Sequence, residues 1–188
     1  MGMSNEVEAA QVRTIEEARA FVERAGMCTI FEDRTGRLPS LWDAVDAPDK
    51  QPGERGWGEK MGKVWSWKNE LPARYPDAIF YGKLRNGRAI LCTMERLAEL
   101  RREQHRPIES VSETARELYE VIRQGPIANK ELRLATGLAG KGGKSRFDRA
   151  LLELQTALLI VRSNAPGIEH DTWISFEGQY PRQAAEVS

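Results

Sequence analysis

Tryptophan set among lysine is the first pattern with chemical content in this 188-residue chain. Four of its five tryptophans, Trp42, Trp57, Trp65 and Trp67, fall within residues 42–67, beside Lys60, Lys63 and Lys68. An indole can stack a flipped or single-stranded base while a neighbouring ammonium holds phosphate, so this segment is a candidate base or ligand pocket. Glu70 follows closely, and either Glu70 or Asp43 offers a carboxylate of the kind that activates water. Packing of the indoles into a core is the alternative reading. Trp65-Ser66-Trp67-Lys68-Asn69-Glu70 is the stretch in which a ligand would be sought first.

A second concentration is cationic. Residues 130–149 hold Lys130, Arg133, Lys141, Lys144, Arg146 and Arg149 against Glu131 and Asp148, a local excess of +4 in a chain of zero formal net charge. Gly140, Gly142 and Gly143 in the same run would let backbone approach a phosphate closely. The candidate nucleic-acid contacts are therefore Lys141, Lys144, Ser145, Arg146 and Arg149, with Arg162 farther on, suited to phosphate more than to base edges. A solvated charge run is the alternative. Residues 1–48 lean the other way, with five basic side chains against nine acidic ones, a balance of −4. A neutral total gives no strong long-range steering.

Cys28 and Cys92 lie in apolar stretches read as strands, where they serve as small hydrophobic groups. A zinc site would have to join them to His105 and His170 across both halves of the chain, so no metal and no cofactor are assigned. No apolar run approaches the roughly 18–20 residues of a membrane span. The N-terminus carries acidic residues where a signal peptide would be basic and then apolar. The expectation is a cytoplasmic protein with DNA as partner, no membrane, and a protein partner or homodimer as the other interaction.

Local signals supply the elements that must position these residues. Residues 1–12 read as a flexible lead-in. Thr14-Ile15-Glu16-Glu17 is a capping box opening a helix with Ile15, Ala18, Phe21, Val22 and Ala25 on its apolar face, ending at Gly26. Met27 to Phe31 reads as a strand, Ser40 as the cap of a short helix, and Asp46 to Gly58 as a long loop. Ala78 to Thr93 reads as a hairpin with Asn86-Gly87 in a type I′ turn, which sets Leu84 opposite Ala89 and groups Phe80 with Leu91. Thr93 then caps a helix carrying Met94, Leu97 and Leu100.

From Ser112 the order is helix, turn, helix, Gly/Lys loop, helix and two strands. Ser112 caps a helix with Ala115, Leu118, Tyr119 and Ile122 inward, and Gly125-Pro126 ends it, leaving Ile127 extended. The second helix buries Leu132 and Ala135 and stops at Gly137. The third points Phe147, Leu151, Leu154 and Leu158 inward and Ser145, Arg149, Leu152 and Thr156 outward, with Glu153 beside them. Leu159-Ile160-Val161 and Thr172 to Phe176 form a closing hairpin about Asn164-Ala165-Pro166-Gly167. The expected fold class is α+β: residues 13–106 form an α+β domain with the Trp-rich region and the hairpin 78–93, and residues 108–180 form a winged helix-turn-helix. Such a scaffold offers its third helix to the major groove and its wing and helix N-termini to phosphate. Leu152 and Glu153 are poor groove readers, which leaves docking of that face on protein open.

Several segments are familiar in combination: Pro39-Ser40-Leu41-Trp42, Trp65-Ser66-Trp67-Lys68-Asn69-Glu70-Leu71-Pro72, Tyr81-Gly82-Lys83-Leu84, Gly125-Pro126-Ile127 and Phe147-Asp148-Arg149-Ala150-Leu151-Leu152-Glu153-Leu154-Gln155. Together they resemble the short bacterial AlkZ-related winged-helix proteins, relatives of the AlkZ and YcaQ DNA glycosylases, over about residues 14–180. The resemblance implies a DNA-repair context. It also implies that catalysis, where present, uses a Gln-x-Gln or Gln-x-Asp motif to position water at the glycosidic carbon of an alkylated or crosslinked base. None of Gln11, Gln51, Gln104, Gln124, Gln155, Gln179 and Gln183 has Gln or Asp two residues on. The expectation is thus a non-enzymatic nucleic-acid-binding protein, accessory to DNA repair or transcription. A glycosylase-like base-processing enzyme and a protein-interaction winged helix are the other two readings.

Overall fold

Thr14 opens the first helix of the computed structural model, which describes residues 11–168 and 171–185; residues 1–10 and His170 lie outside the described residues. The chain divides into two compact units, residues 1–80 with 89–94 and residues 81–88 with 95–188. Helix and sheet are mixed, so the fold class is α+β. Among the described residues no helix is long and apolar enough to cross a membrane.

In the first unit, helix α1 (Ile15–Ala25) begins with the expected capping box. Glu17 N donates to Thr14 Oγ1 at 3.2 Å, while Glu17 Oε2 accepts from the backbone of Arg13 and Thr14 at 2.6 and 3.2 Å. These donors hold the Glu17 carboxyl below its ordinary pKa, the Arg13 bond contributing most. Strand β1 (Met27–Thr29) follows, shorter than the apolar run suggested, then a short helix α2 (Leu41–Ala44) capped by Ser40, whose Oγ accepts from Asp43 N at 3.0 Å. Helix α3 (Glu59–Arg74) occupies the Trp-rich stretch and buries Val64, Trp67, Lys68, Leu71 and Pro72 on one side. Helix α1 packs against β1, against β3 (Ala89–Thr93) and against α3. With β2 (Ile79–Lys83) these strands form a sheet of order β1-β3-β2, in which Cys28 stands opposite Leu91.

The β2–β3 turn differs from the type I′ expectation. Leu84 N donates to Arg88 O at 2.9 Å and Gly87 N to Leu84 O at 2.8 Å, while Ala78 O accepts from Met94 N at 3.2 Å. Gly87 has φ 83 and Asn86 is not in positive φ, so three residues form the loop, with Gly87 in the left-handed position of a bulge. Leu84 therefore faces Arg88, one residue off the Leu84–Ala89 expectation. The slip regroups Phe80 with Ile90 and Cys92, and Ile79 with Leu91.

The second unit holds most of α4 (Met94–Gln104), a 3-10 turn (Ile108–Ser110), α5 (Glu113–Ile122), β4 (Ile127–Ala128), α6 (Asn129–Ala135) and α7 (Gly143–Thr156). Strands β5 (Ile160–Arg162) and β6 (Thr172–Ser175) and two short helices, α8 (Phe176–Gln179) and α9 (Pro181–Ala185), complete it. Its sheet has order β4-β6-β5, with Ile127 opposite Trp173 and Val161 opposite Ile174. Leu118, Ile122, Leu132, Phe147, Leu154 and Trp173 are among the core residues between the sheet and α5, α6 and α7. Burying side chains of this size contributes roughly 1.5–3 kcal/mol each. The indole N–H of Trp173 donates to Asn129 Oδ1 at 2.6 Å, so this buried polar atom is satisfied inside the core.

Two side-chain expectations, at Ala135 and Thr156, and the end of the third helix at Leu158 are corrected here. Ala135 is exposed, because α6 ends there and only Leu132 is buried on that helix. Leu158 lies beyond α7 at φ 54; Leu158 N donates to Gln155 O and Leu159 N to Leu154 O, each at 3.1 Å. That closure normally places glycine at the left-handed position, and here a buried Leu occupies it. Thr156, expected to face outward, is buried, and its carbonyl accepts from Gln104 Nε2 at 2.8 Å. At the same helix end Arg101 is buried, donates to Leu158 O at 3.2 Å and lies 4.4 Å over the Phe176 ring. A cation there complements the negative end of the α7 dipole.

Candidate nucleic-acid interface

Helix α7 divides lengthwise into an open half and an engaged half. Gly142, at φ 88, turns the chain into its N-terminus, and Phe147, Ala150 and Leu151 face the core. That rotation leaves Lys144, Ser145, Arg146 and Arg149 exposed, and Lys141 is exposed in the turn before the helix. Among the described residues no ion pair engages Lys141, Arg146 or Arg149, whereas Lys144 Nζ is 2.6 Å from Asp148 Oδ2. The first turn contains no acidic residue to offset its exposed N–H groups.

Farther along, every outward position has a neighbour. Leu152 is 36% exposed, and a β-carbon at Gly87 would stand 3.8 Å from both of its methyls. Glu153 accepts from Ser112 N at 3.2 Å and from Ser112 Oγ at 2.6 Å, tying α7 to the cap of α5. Gln104 joins three segments: its Nε2 donates to Lys83 O and Thr156 O, both at 2.8 Å, and its Oε1 accepts from Arg85 N at 2.9 Å. The hairpin turn and the end of α7 are thereby held to α4. Arg162, the remaining basic candidate, has a side chain only 10% exposed and donates to Asp171 Oδ1 at 2.8 Å. Its guanidinium is already committed to a carboxylate.

A cleft of about 510 Å³ opens between α6 and α7, lined in part by Lys130, Arg133, Leu134, Ala139, Lys144 and Asp148. Arg133 is fixed there by two hydrogen bonds to Leu138 O, at 3.2 and 3.1 Å. Lys130, Arg133 and Leu134 were not singled out as a site by the sequence, although their i, i+3, i+4 spacing puts them on one face of α6.

The tryptophans do not form one cluster around Glu70. Trp67 is buried as a core residue. Trp57 and Trp65 are 60% and 42% exposed and meet edge to face at 5.3 Å, with Lys68 Nζ 4.1 Å over the Trp65 ring. Trp42 lies 6.0 Å from Phe31 between ring centroids, with Lys60 Nζ 5.0 Å over its ring, and these aromatics line a cavity of about 290 Å³ with Arg34 and Met61. Glu70 is paired with Arg74 at 3.0 Å and bonded to Ser66, and Asp43 accepts from Ser40 Oγ at 2.6 Å. Cys28 and Cys92 form no disulfide and are buried; burial pushes the Cys28 thiol up to about 12, which keeps it protonated and unreactive.

A family model described as AlkZ related matches residues 12–170. No curated protein and no solved structure matches the chain.

Proposed function

Because this chain belongs to the AlkZ-related family, we propose that it binds DNA through a winged helix in its second unit, without catalysis of its own. The observation that carries this reading is the open N-terminal half of α7 with the turn before it, where Lys141, Ser145, Arg146 and Arg149 are exposed and three of these are cations outside any ion pair among the described residues. Recognition helices use their N-terminal residues for the groove, and this is the half that stands clear. The order α5, β4, α6, α7, β5, β6 fits a helix-turn-helix followed by a wing. Under this reading the protein acts in the cytoplasm, accessory to DNA repair or transcription. Lys141, Arg146 and Arg149 contact phosphate, Ser145 lies at the groove, and the core pairing of Arg162 leaves it a structural role.

The test is a gel shift with duplex DNA. R146E/R149E should abolish the complex while leaving the circular dichroism spectrum unchanged. A variant that shifts DNA as the parent does would sink the proposal.

A second reading rests on the exposed Trp57–Trp65 pair and the lysine over it, which suits stacking of an extruded base. Under that reading the protein processes bases, and W65A should slow base release from alkylated duplexes. No release above buffer by the parent protein would remove it.

A further inference from the structure

The cleft between α6 and α7 joins two kinds of surface that a solvated charge run does not require. Lys130, Arg133 and Lys144 bring cations to it, and Leu134 and Ala139 bring exposed apolar atoms. Leu134 is 61% exposed, more than any other large hydrophobic side chain among the described residues. An apolar group left in water beside three cations has an explanation if the occupant is itself anionic and apolar by turns. A nucleic-acid backbone is built that way, with a charged phosphate and then a sugar whose carbons are apolar.

We propose that this cleft holds the deoxyribose–phosphate backbone of one DNA strand. Lys130 and Lys144 take phosphate oxygens, and Leu134 and Ala139 lie against the sugar. Arg133 is already fixed on Leu138 O and adds its charge without needing to reorient. Asp148 acts as an internal competitor: its carboxylate holds Lys144 at 2.6 Å, with both side chains more than half exposed, so an incoming phosphate replaces one oxyanion by another. The apolar contact also selects the sugar. A ribose would set its 2′-hydroxyl against the Leu134 methyls in place of the apolar C2′ methylene of deoxyribose, a poorer contact, so DNA is preferred over RNA. The inference rests on the reading that the second unit binds nucleic acid, and it names the backbone site and the sugar.

The experiment is fluorescence anisotropy with a labelled DNA duplex and an RNA duplex of the same sequence, over a range of salt concentrations. The full-length protein should prefer DNA. K130Q/K144Q should weaken DNA binding about tenfold and flatten the logarithmic salt dependence by about 1.8, the loss of two phosphate contacts. D148N should tighten DNA binding roughly threefold by removing a nearby negative charge. L134N should weaken DNA binding and leave RNA binding unchanged, narrowing the preference. All four side chains are exposed, so these variants keep the fold. If R146E/R149E abolishes binding while K130Q/K144Q leaves the salt dependence intact, the cleft is not the backbone site and only this inference falls. An L134N variant that affects DNA and RNA equally overturns the sugar assignment, and weaker binding by D148N overturns the competitor. A parent protein that binds neither duplex overturns both this inference and the function it rests on.

Discussion

His105 carries an acid sensitivity set by its surroundings. Its Nδ1 is buried without a hydrogen-bond partner among the described residues, and burial, then the Arg101 guanidinium, lower its pKa from the ordinary 6.5. The unfolded chain therefore takes up a proton at higher pH than the folded one. The stability tied to neutral His105 is complete above about pH 6.5 and is lost as pH falls through the lowered folded value. Denaturation midpoints in urea should drop between pH 7.5 and 5.5 for the parent protein and drop less for H105Q. Equal pH dependence in the two would assign the loss to other groups. Arg101, one turn earlier on α4, is also disfavoured by burial, which lowers its pKa, while the Glu177 carboxylate opposes that shift.

Gln104 gives the hairpin turn and the end of α7 a common anchor. Replacing it with Leu keeps most of the volume and strands Lys83 O, Thr156 O and Arg85 N. At about 1–3 kcal/mol per buried group left unsatisfied, and with partial rescue by water, Q104L should lose roughly 2–4 kcal/mol in urea denaturation. A loss under about 0.5 kcal/mol would mean that solvent takes over all three bonds. The same glutamine explains where reading the sequence stopped. Thr14 with Glu17 and Ser112 with Ala115 were legible because caps are local chemistry. Asn86-Gly87 spelled a two-residue turn, but Arg85 N is taken by a side chain 19 residues away, and no local pattern carries that bond. Helix α3 went unread because Gly58 provides no side-chain cap, while Gly62 and Pro72 lie inside it as apparent breakers. Its stripe Val64, Trp67, Lys68 and Leu71 was the surviving signal. The exposure of Ser145 and Arg149 on α7 followed from helical rotation alone. Thr156 and Glu153 did not, since Gln104 and Ser112 lie far from them in the chain. The cleft needed the two helices to be seen together.

At the scale of the molecule, neutrality conceals segregation: residues 1–48 carry −4 and residues 130–149 carry +4. Under the proposed function Lys141, Arg146 and Arg149 neutralise three phosphates, the cleft adds Lys130 and Lys144 for five, and each released counterion enters the salt dependence. The logarithm of the binding constant should fall with slope about −4.5 against the logarithm of salt concentration. A slope shallower than about −2 would limit the contacts to one or two phosphates and favour a protein-docking role for α7. Four of the five tryptophans precede residue 68, and the fifth, Trp173, is buried with its N–H held by Asn129, a residue of the cleft wall. Trp173 is therefore a built-in optical probe: with Trp42, Trp57, Trp65 and Trp67 replaced by Phe, its emission would report folding of the second unit and filling of the cleft beside it without any attached label.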